Sequence, residues 1–367
     1  MKGKNKTGGI LGGIILVIIG ICLLWYNEGR TVKTQKAISE ARKTYIEVKS
    51  DKVDSKNEGK LIATNGKIDL TNANELVDDT FGIKVKSAKM IRTVEMYQWT
   101  EECSTDDNNN EHCEYKKEWK DELVDSSEFK ESGHSNPTSM PYENNTYLAD
   151  NVKLGAFTLS KDLQDNLSTD KSVGNEQLTT EYINKKEGLK ISGNYIDNIP
   201  ESGTPEIGNI RISFKYNDSD SATVLAVQNG ETFSKFIAKS GKAVYRIKEG
   251  VHTGAEILQD MTNENNFIKW LLRILGIILI IGGINSLFAP LQKLANFVPI
   301  LGGLVGFASG LVSFVLGLAI SLVVIALAWF RFRPLLSIIL IVIVVGLVLL
   351  LKKMKNKTPE DQTKKDE

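Results

Sequence analysis

Residues 267–351 are almost continuously apolar, and that block constrains the chain more than any other feature. A hydrocarbon core about 30 Å thick takes roughly 20 apolar residues as helix. The block divides into three runs long enough to cross it: 267–289, 298–330 and 334–351. Pro290, Gln292, Lys293 and Asn296 separate the first two runs. Arg331, Arg333 and Pro334 form a tighter second break, where Pro334 suits the first turn of a new helix because its missing N–H is no loss there.

A fourth run, 9–26, follows Lys2, Lys4 and Lys6. A signal peptide has the same basic start and apolar centre. This run instead ends in Leu23, Leu24, Trp25 and Tyr26, with no small-residue cleavage site, and Trp25 and Tyr26 suit interfacial anchors. It reads as a retained signal anchor. Four spans put both termini on one side. Lys2, Lys4, Lys6, Lys293, Lys352, Lys353, Lys355 and Lys357 mark that side as cytoplasmic, against Arg331 and Arg333 in a short outer loop. The expected fold class is therefore a multi-pass α-helical membrane protein of four spans with a β-rich α+β extracytoplasmic or lumenal domain. Its parts are a cytoplasmic N-terminus (1–8), spans at 9–26, 267–289, 298–330 and 334–351, the domain at 27–266, and a charged cytoplasmic tail (352–367).

Lys plus Arg and Asp plus Glu both number 45, so no global charge argues for a nucleic-acid partner. Three Cys and three His leave no CxxC, HExxH or dense Cys/His cluster, and neither a metal site nor a cofactor is expected. Cys103 and Cys113 flank a very polar stretch, a spacing that closes a hairpin loop if the compartment is oxidising.

Within the polar middle, 31–43 reads as a helix, with Gly29 either interrupting it or tolerated. Period-two patterning then predicts strands at 45–48, 61–68, 83–99 and 114–123, the last two forming a hairpin. Val94, Tyr97 and Trp99 do not share one face, which suggests a bulge. Residues 162–184 read as short helices. Further strands fall at 207–216, 222–228, 232–238 and 243–248, with a hairpin turn at Asn229-Gly230, and 254–267 reads as a helix running into the second span.

Candidate chemistry is sparse. His134 lies in a loop with Gly133 and Pro137, and a lone His there is commonly a loop hydrogen-bonder. Glu95, Glu118 and Glu122 could be paired carboxylates on adjacent strands, though solvated or cross-strand pairs are the plainer reading. The third and fourth spans carry no ionisable residue between 302 and 330 or 335 and 351, which argues against transport. Lys269 and Arg273 sit near the start of the second span, where long side chains reach the interface. The third span has a small-residue seam: Gly302, Gly306, Gly310, Ser313, Gly317 and Ser321 fall on one helix face. Small side chains let helices approach closely in lipid, which serves packing within the chain or a homo-oligomer.

Several blocks, in order, resemble the LUMA family, also called transmembrane protein 43. They are Asn27-Glu28-Gly29-Arg30, the strand holding Glu95, Tyr97 and Trp99, then Trp119, Gly133-His134 with Pro137, Arg211 within 208–214, and Arg333-Pro334. The resemblance implies four spans, a large non-cytoplasmic domain and cytoplasmic or nucleoplasmic tails. It also implies a non-enzymatic protein that self-associates and organises membrane partners in the endoplasmic reticulum and inner nuclear membrane, with emerin- or lamin-type partners in eukaryotes. A bacterial member would sit in the cell membrane, among membrane lipids. The alternative is a membrane-associated enzyme or lipid-interacting factor of a bacterial envelope.

Overall fold

The computed structural model describes residues 8–105, 111–174, 177–178, 180–183, 185–186, 188–295, 299–335 and 337–338. Three helices in it are long and apolar enough to cross a membrane. These are α1 (Gly8–Thr44), α2 (Gly254–Ala295) and α3 (Pro299–Phe332). The expected fourth span, 334–351, lies almost wholly outside the described residues. The chain forms two compact units. One gathers the helical residues up to Glu40 and from Leu258 with the segment Ile237–Ala243; the other comprises Ala41–Phe236 and Val244–Ile257.

Residues 31–43 are helical as part of α1, which runs unbroken through Gly29 to Thr44. At 1.5 Å per residue, the part beyond Tyr26 is about 27 Å of helix. Likewise α2 begins at Gly254 and continues through Pro290 to Ala295, so Pro290 does not end the helix, although the part of it long and apolar enough to cross a membrane is Gly254–Pro290. Proline is tolerated in membrane helices because neighbouring groups and small local adjustments satisfy the freed carbonyl.

Glycine spacing explains how α1 and α2 pair. On α1, Gly13, Val17, Gly20, Leu24, Asn27 and Thr31 recur at alternating steps of four and three. Such a 3.5-residue period keeps one seam facing a partner helix. The opposite face exposes Ile10, Leu11, Ile14, Ile15, Ile18 and Ile19, as lipid contact requires. A Cβ on Gly13 would lie 2.7 Å from the Gly283 carbonyl oxygen, and one on Gly283 would lie 2.7 Å from the Gly13 oxygen. A Cβ on Gly20 would meet the Gly276 oxygen at 2.9 Å. Further along, the Asn27 amide donates to the Lys269 carbonyl and Asn265 donates to the Thr31 carbonyl. The helices are therefore antiparallel in one register, with two backbone-to-backbone contacts that only glycine permits. This heptad pair of glycines, 13 with 20 and 276 with 283, was legible as a spacing and escaped the sequence analysis.

In the other unit, two seven-stranded sheets are found among the described residues. The longest strands are β1 (Leu61–Asp69), β2 (Lys89–Thr105), β3 (Glu111–Lys120), β4 (Ile210–Tyr216) and β5 (Ser221–Asn229). One sheet centres on β1 antiparallel to β5, with Ile46–Lys49 parallel to β1. The other centres on β2, between β4 and β3. Ile62, Ala222, Val224 and Ala226 of the first sheet share one core with Met90, Val94, Met96, Ile212 and Phe214 of the second. Residues 222–226 are all buried, which is why β5 reads as a continuous apolar run rather than an alternating one. Strand β2 shows no bulge between 90 and 99: Arg92, Val94, Met96 and Gln98 are buried, while Thr93, Glu95, Tyr97 and Trp99 are only partly so. Gln98 misled the pattern. It is a buried polar residue whose amide donates to the Glu122 carbonyl and whose oxygen accepts from the Val124 amide. The hairpin after β5 is displaced by one residue from Asn229-Gly230. Asn229 pairs with Thr232, leaving Gly230 (φ 57°) and Glu231 as the loop.

Substituting Gly283→Leu drives a side chain into the α1 backbone, and overpacking of this kind costs about 1–3 kcal/mol. Thermal unfolding in mild detergent is expected to fall accordingly. Gly12→Leu, where nothing lies within 4 Å among the described residues, is expected to leave it unchanged.

Candidate functional site

The charged group most deeply buried among the helices is Glu28. Its helix, α1, cannot place it in lipid unpaired, since a lone buried carboxylate costs several kcal/mol. The structure supplies two donors. Arg273 Nε of α2 donates to Glu28 Oε1 at 2.6 Å, and Trp329 Nε1 of α3 donates to Oε2 at 2.9 Å. Glu28 is 0% exposed and Arg273 8% exposed. Sequence analysis placed Arg273 at the interface by way of its long stem; instead it turns inward, because Glu28 offers a partner there. The guanidinium also lies 5.1 Å from the Trp270 ring and 5.8 Å from the Trp329 ring, both within cation–π range. Gly29 completes the joint. A Cβ there would lie 2.8 Å from Phe332 Cζ, and Phe332 packs edge-on against Trp25.

Asn27, Glu28, Gly29 and Arg30 thus have distinct duties: Asn27 bonds the α2 backbone, Glu28 joins three helices, and Gly29 admits an α3 ring. Arg30 Nη2 reaches Asn27 Oδ1 at 3.5 Å and Thr31 Oγ1 at 3.3 Å, and its Nε is enclosed without a partner. Arg333, at the end of α3, lies 6.0 Å from the Trp329 ring. Pro334 follows it in a renewed helical turn, with the Ser337 amide donating to the Arg333 carbonyl.

The small-residue seam of α3 divides. A Cβ on Gly317 would lie 2.5 Å from Ile281 of α2, so this part of the seam is filled from within the chain. Ser313 and Ser321 are buried, and their hydroxyls donate to the carbonyls one turn back at Ser309 and Gly317. Around Gly306 and Gly310 nothing lies within 4 Å among the described residues. Gly302 belongs to α3, but its surroundings fall outside the described residues.

In the β-rich unit the remaining motif positions gather on the outer face of β2 and its neighbours. Glu95 and Arg211 sit opposite each other on β2 and β4 and form a bidentate pair at 2.6 and 2.8 Å. The Arg211 guanidinium lies 4.5 Å from the Trp119 ring, which in turn packs 5.2 Å from Tyr97. Further along, His134 stacks flat on Tyr115 at 3.9 Å and meets Trp99 edge-on at 4.6 Å. Its loop is tied down by Asn136, whose side chain accepts from the Trp99 amide and donates to the Trp99 carbonyl. Asn136 thereby satisfies the β2 backbone where β4 has ended. Gly133 turns that loop at φ 99°, and Pro137 packs near Gly208. These residues come from separate stretches of the sequence, and only the fold brings them together as one surface.

Cys103 and Cys113 face each other across β2 and β3 and are disulfide-bonded. Their sulfurs and a Glu101 oxygen lie within 4.8 Å of one another, but the bond leaves no thiolate to ligate a metal. Glu101 accepts from the Tyr115 hydroxyl at 2.5 Å and from the Lys130 amide at 2.6 Å. These bonds, the Tyr115 one first, hold its carboxyl below the ordinary carboxylate range. Desolvation, then the bond to Glu101, pushes the Tyr115 phenol up.

The three carboxylates do not converge. The β2–β3 register pairs Gln98 with Glu118, so strand alternation puts Glu95 and Glu118 on opposite faces of the sheet. Glu95 is held by Arg211 and Glu118 by Lys120 at 2.8 Å. The Glu122 backbone carbonyl serves to cap Gln98. A second buried ionic group, Asp78, is satisfied by Arg92, by the Tyr147 hydroxyl and by the Phe81 amide. Desolvation and Asp78 together push the Tyr147 phenol up to about 12. Every acceptor there is spent on holding the core.

Apolar helices locked by a buried ion pair, together with a disulfide-bearing β-rich domain, define an integral membrane protein with an appended β-rich domain. The profile of transmembrane protein 43 matches residues 96–334. The chain belongs to the transmembrane protein 43, or LUMA, family. It is similar to transmembrane protein 43 of Homo sapiens, 28% identical over 351 residues that cover 90% of this chain and 86% of that protein. The Mus musculus protein matches to the same extent. The Drosophila melanogaster homolog is 25% identical over 343 residues, covering 88% of this chain and 89% of its own. No solved structure matches the chain.

Two outcomes are expected. Glu28→Gln leaves Arg273 buried without its counter-charge and costs about 3–5 kcal/mol. Adding Arg273→Met is expected to recover part of that loss, read as a double-mutant cycle from unfolding in detergent. Tyr115→Phe removes a hydrogen bond to the Glu101 carboxylate, so the Glu101 titration followed by carboxyl NMR is expected to move up toward the ordinary range.

Proposed function

We propose that this protein is a non-enzymatic membrane organiser that self-associates through α3 and presents the β-rich domain to partners. The division of the α3 seam supports the reading: Gly317 is filled by Ile281, whereas among the described residues nothing lies within 4 Å of a Cβ on Gly306 or Gly310, where a second helix would fit. Close approach at small residues is the means by which helices associate in lipid, where apolar burial gives no drive. In the full proposal the chain crosses four times, with 334–351 as the last span and both termini in the cytoplasm. The Cys103–Cys113 bond supports a non-cytoplasmic domain, since structural disulfides persist in oxidising compartments. In a eukaryote the endoplasmic reticulum or inner nuclear membrane, with emerin- or lamin-type partners, follows from the family; in a bacterium, the cell membrane. The enzyme alternative requires a pocket gathering His134, Glu95 or Glu118 near the bilayer; the pairing of Glu95 with Arg211 and of Glu118 with Lys120, and the packing of His134 between Tyr115 and Trp99, weigh against it.

Crosslinking in native membranes tests the reading. The Gly306→Leu/Gly310→Leu variant is expected to lose the oligomer bands given by the unsubstituted chain while keeping its monomer fold. Unchanged bands would dispose of self-association through α3.

A further inference from the structure

The helix joint at Glu28 carries more positive charge than the joint itself neutralises. Glu28 is the one carboxylate in residues 24–32, and 266–274 and 325–338 contain none. The same three stretches contain Arg30, Lys269, Arg273, Arg331 and Arg333. Arg273 is committed to Glu28. Of the rest, and among the described residues, Lys269 Nζ bonds the neutral Asn266 side chain, and Arg30 bonds Asn27 and Thr31. Arg331 and Arg333 lie near the Phe332 and Trp329 rings respectively.

Lys269, Arg331 and Arg333 lie at the level of that joint. The Lys269 carbonyl accepts from Asn27, Trp329 bonds Glu28, and Phe332 packs on Gly29. Arg273 and Arg333 both lie within electrostatic reach of Lys269. Trp25, Tyr26 and Trp270 are exposed at the same level, 41%, 63% and 57%. Aromatic rings that are amphipathic and outward-facing mark the headgroup zone of a bilayer. Like charges gathered there repel unless an anion is shared among them, and guanidinium forks match phosphate oxygens in geometry as well as charge.

We infer that Lys269, Arg331 and Arg333 form a binding site for the phosphate of an anionic phospholipid, seated where the C-terminal end of α3 meets α2. The lipid supplies the counter-charge that the single carboxylate cannot. This site stands whether or not α3 self-associates.

The chain carries its own reporter. Of its five tryptophans, Trp25, Trp270 and Trp329 lie in this layer. The full-length protein is reconstituted in phosphatidylcholine nanodiscs doped with brominated phosphatidic acid or, at equal mole fraction, brominated phosphatidylcholine. Brominated phosphatidic acid is expected to quench tryptophan emission more strongly, and unbrominated phosphatidic acid to compete the excess away. A basic residue near a charged surface contributes about fivefold, so Arg331→Gln/Arg333→Gln is expected to weaken that competition on the order of 25-fold. Arg331→Lys/Arg333→Lys, which keeps the charge, is expected to retain most of it, and Lys352→Gln/Lys353→Gln all of it. Elution as the native species, with an unaltered β-sheet spectrum, establishes that each variant is folded. Equal quenching by the two lipids, or an excess indifferent to Arg331→Gln/Arg333→Gln, overturns the site. If millimolar inorganic phosphate in the buffer abolishes the excess, the pocket takes free phosphate and the lipid assignment fails.

Discussion

A carboxylate withdrawn from both water and lipid must find its partners inside the protein, and Glu28 finds them on two other helices. The ion pair to Arg273 and the indole bond from Trp329 make α1, α2 and α3 mutually dependent at one point. Such a buried pair is weak evidence of net stability, because desolvation consumes most of the attraction. Its value lies in exclusivity. Sliding α2 along α1 by one turn would strand Glu28 and Arg273 without each other, so the pair selects one register among those that apolar contacts alone would tolerate. The glycines then turn that register into close packing. Gly13 against Gly283 and Gly20 against Gly276 bring backbones together at positions where any Cβ would collide.

The same seam leads α1 beyond the apolar run. Asn27 and Thr31 occupy the heptad positions that follow Leu24, and each is matched by a hydrogen bond to or from α2. Packing between the two helices thus changes from apolar to polar without a change of period. That continuity lets one helix serve as a span in one half and as part of a folded unit in the other. The β-rich unit handles its own buried polar groups by the same rule. Gln98, Asp78 and Asn136 are each satisfied by backbone or side-chain partners far along the chain. What remains on the outer face of β2 is an aromatic surface, bounded by the Glu95–Arg211 pair at one end and the Cys103–Cys113 bond at the other.

Much of the architecture was legible because it depends on local composition. Three of the expected spans correspond to long helices, and the β-rich middle was visible in period-two patterning and turn residues. The errors fell where a tertiary partner overrides a local signal. Gly29 and Pro290 are breakers by propensity, yet both lie within helices, Gly29 because an α3 ring needs the space its missing side chain leaves. Gln98 looked like a break in the alternation of β2, when it is a core residue whose polar ends are capped. Arg273 looked like an interfacial side chain, since nothing in its neighbourhood announces a carboxylate 245 residues away.

By itself the sequence determined that this chain enters a membrane, that its middle folds as strands, and that it resembles the transmembrane protein 43 family. Those are consequences of hydropathy, periodicity and motif order, which are properties of neighbours along the chain. Only the tertiary structure decided that Glu28, Arg273 and Trp329 meet, that Ile281 fills the α3 seam at Gly317, and that Tyr115 and His134 stack beside Trp99. Each of those depends on groups brought together from distant segments, and their energies come from burial and geometry that no local window contains.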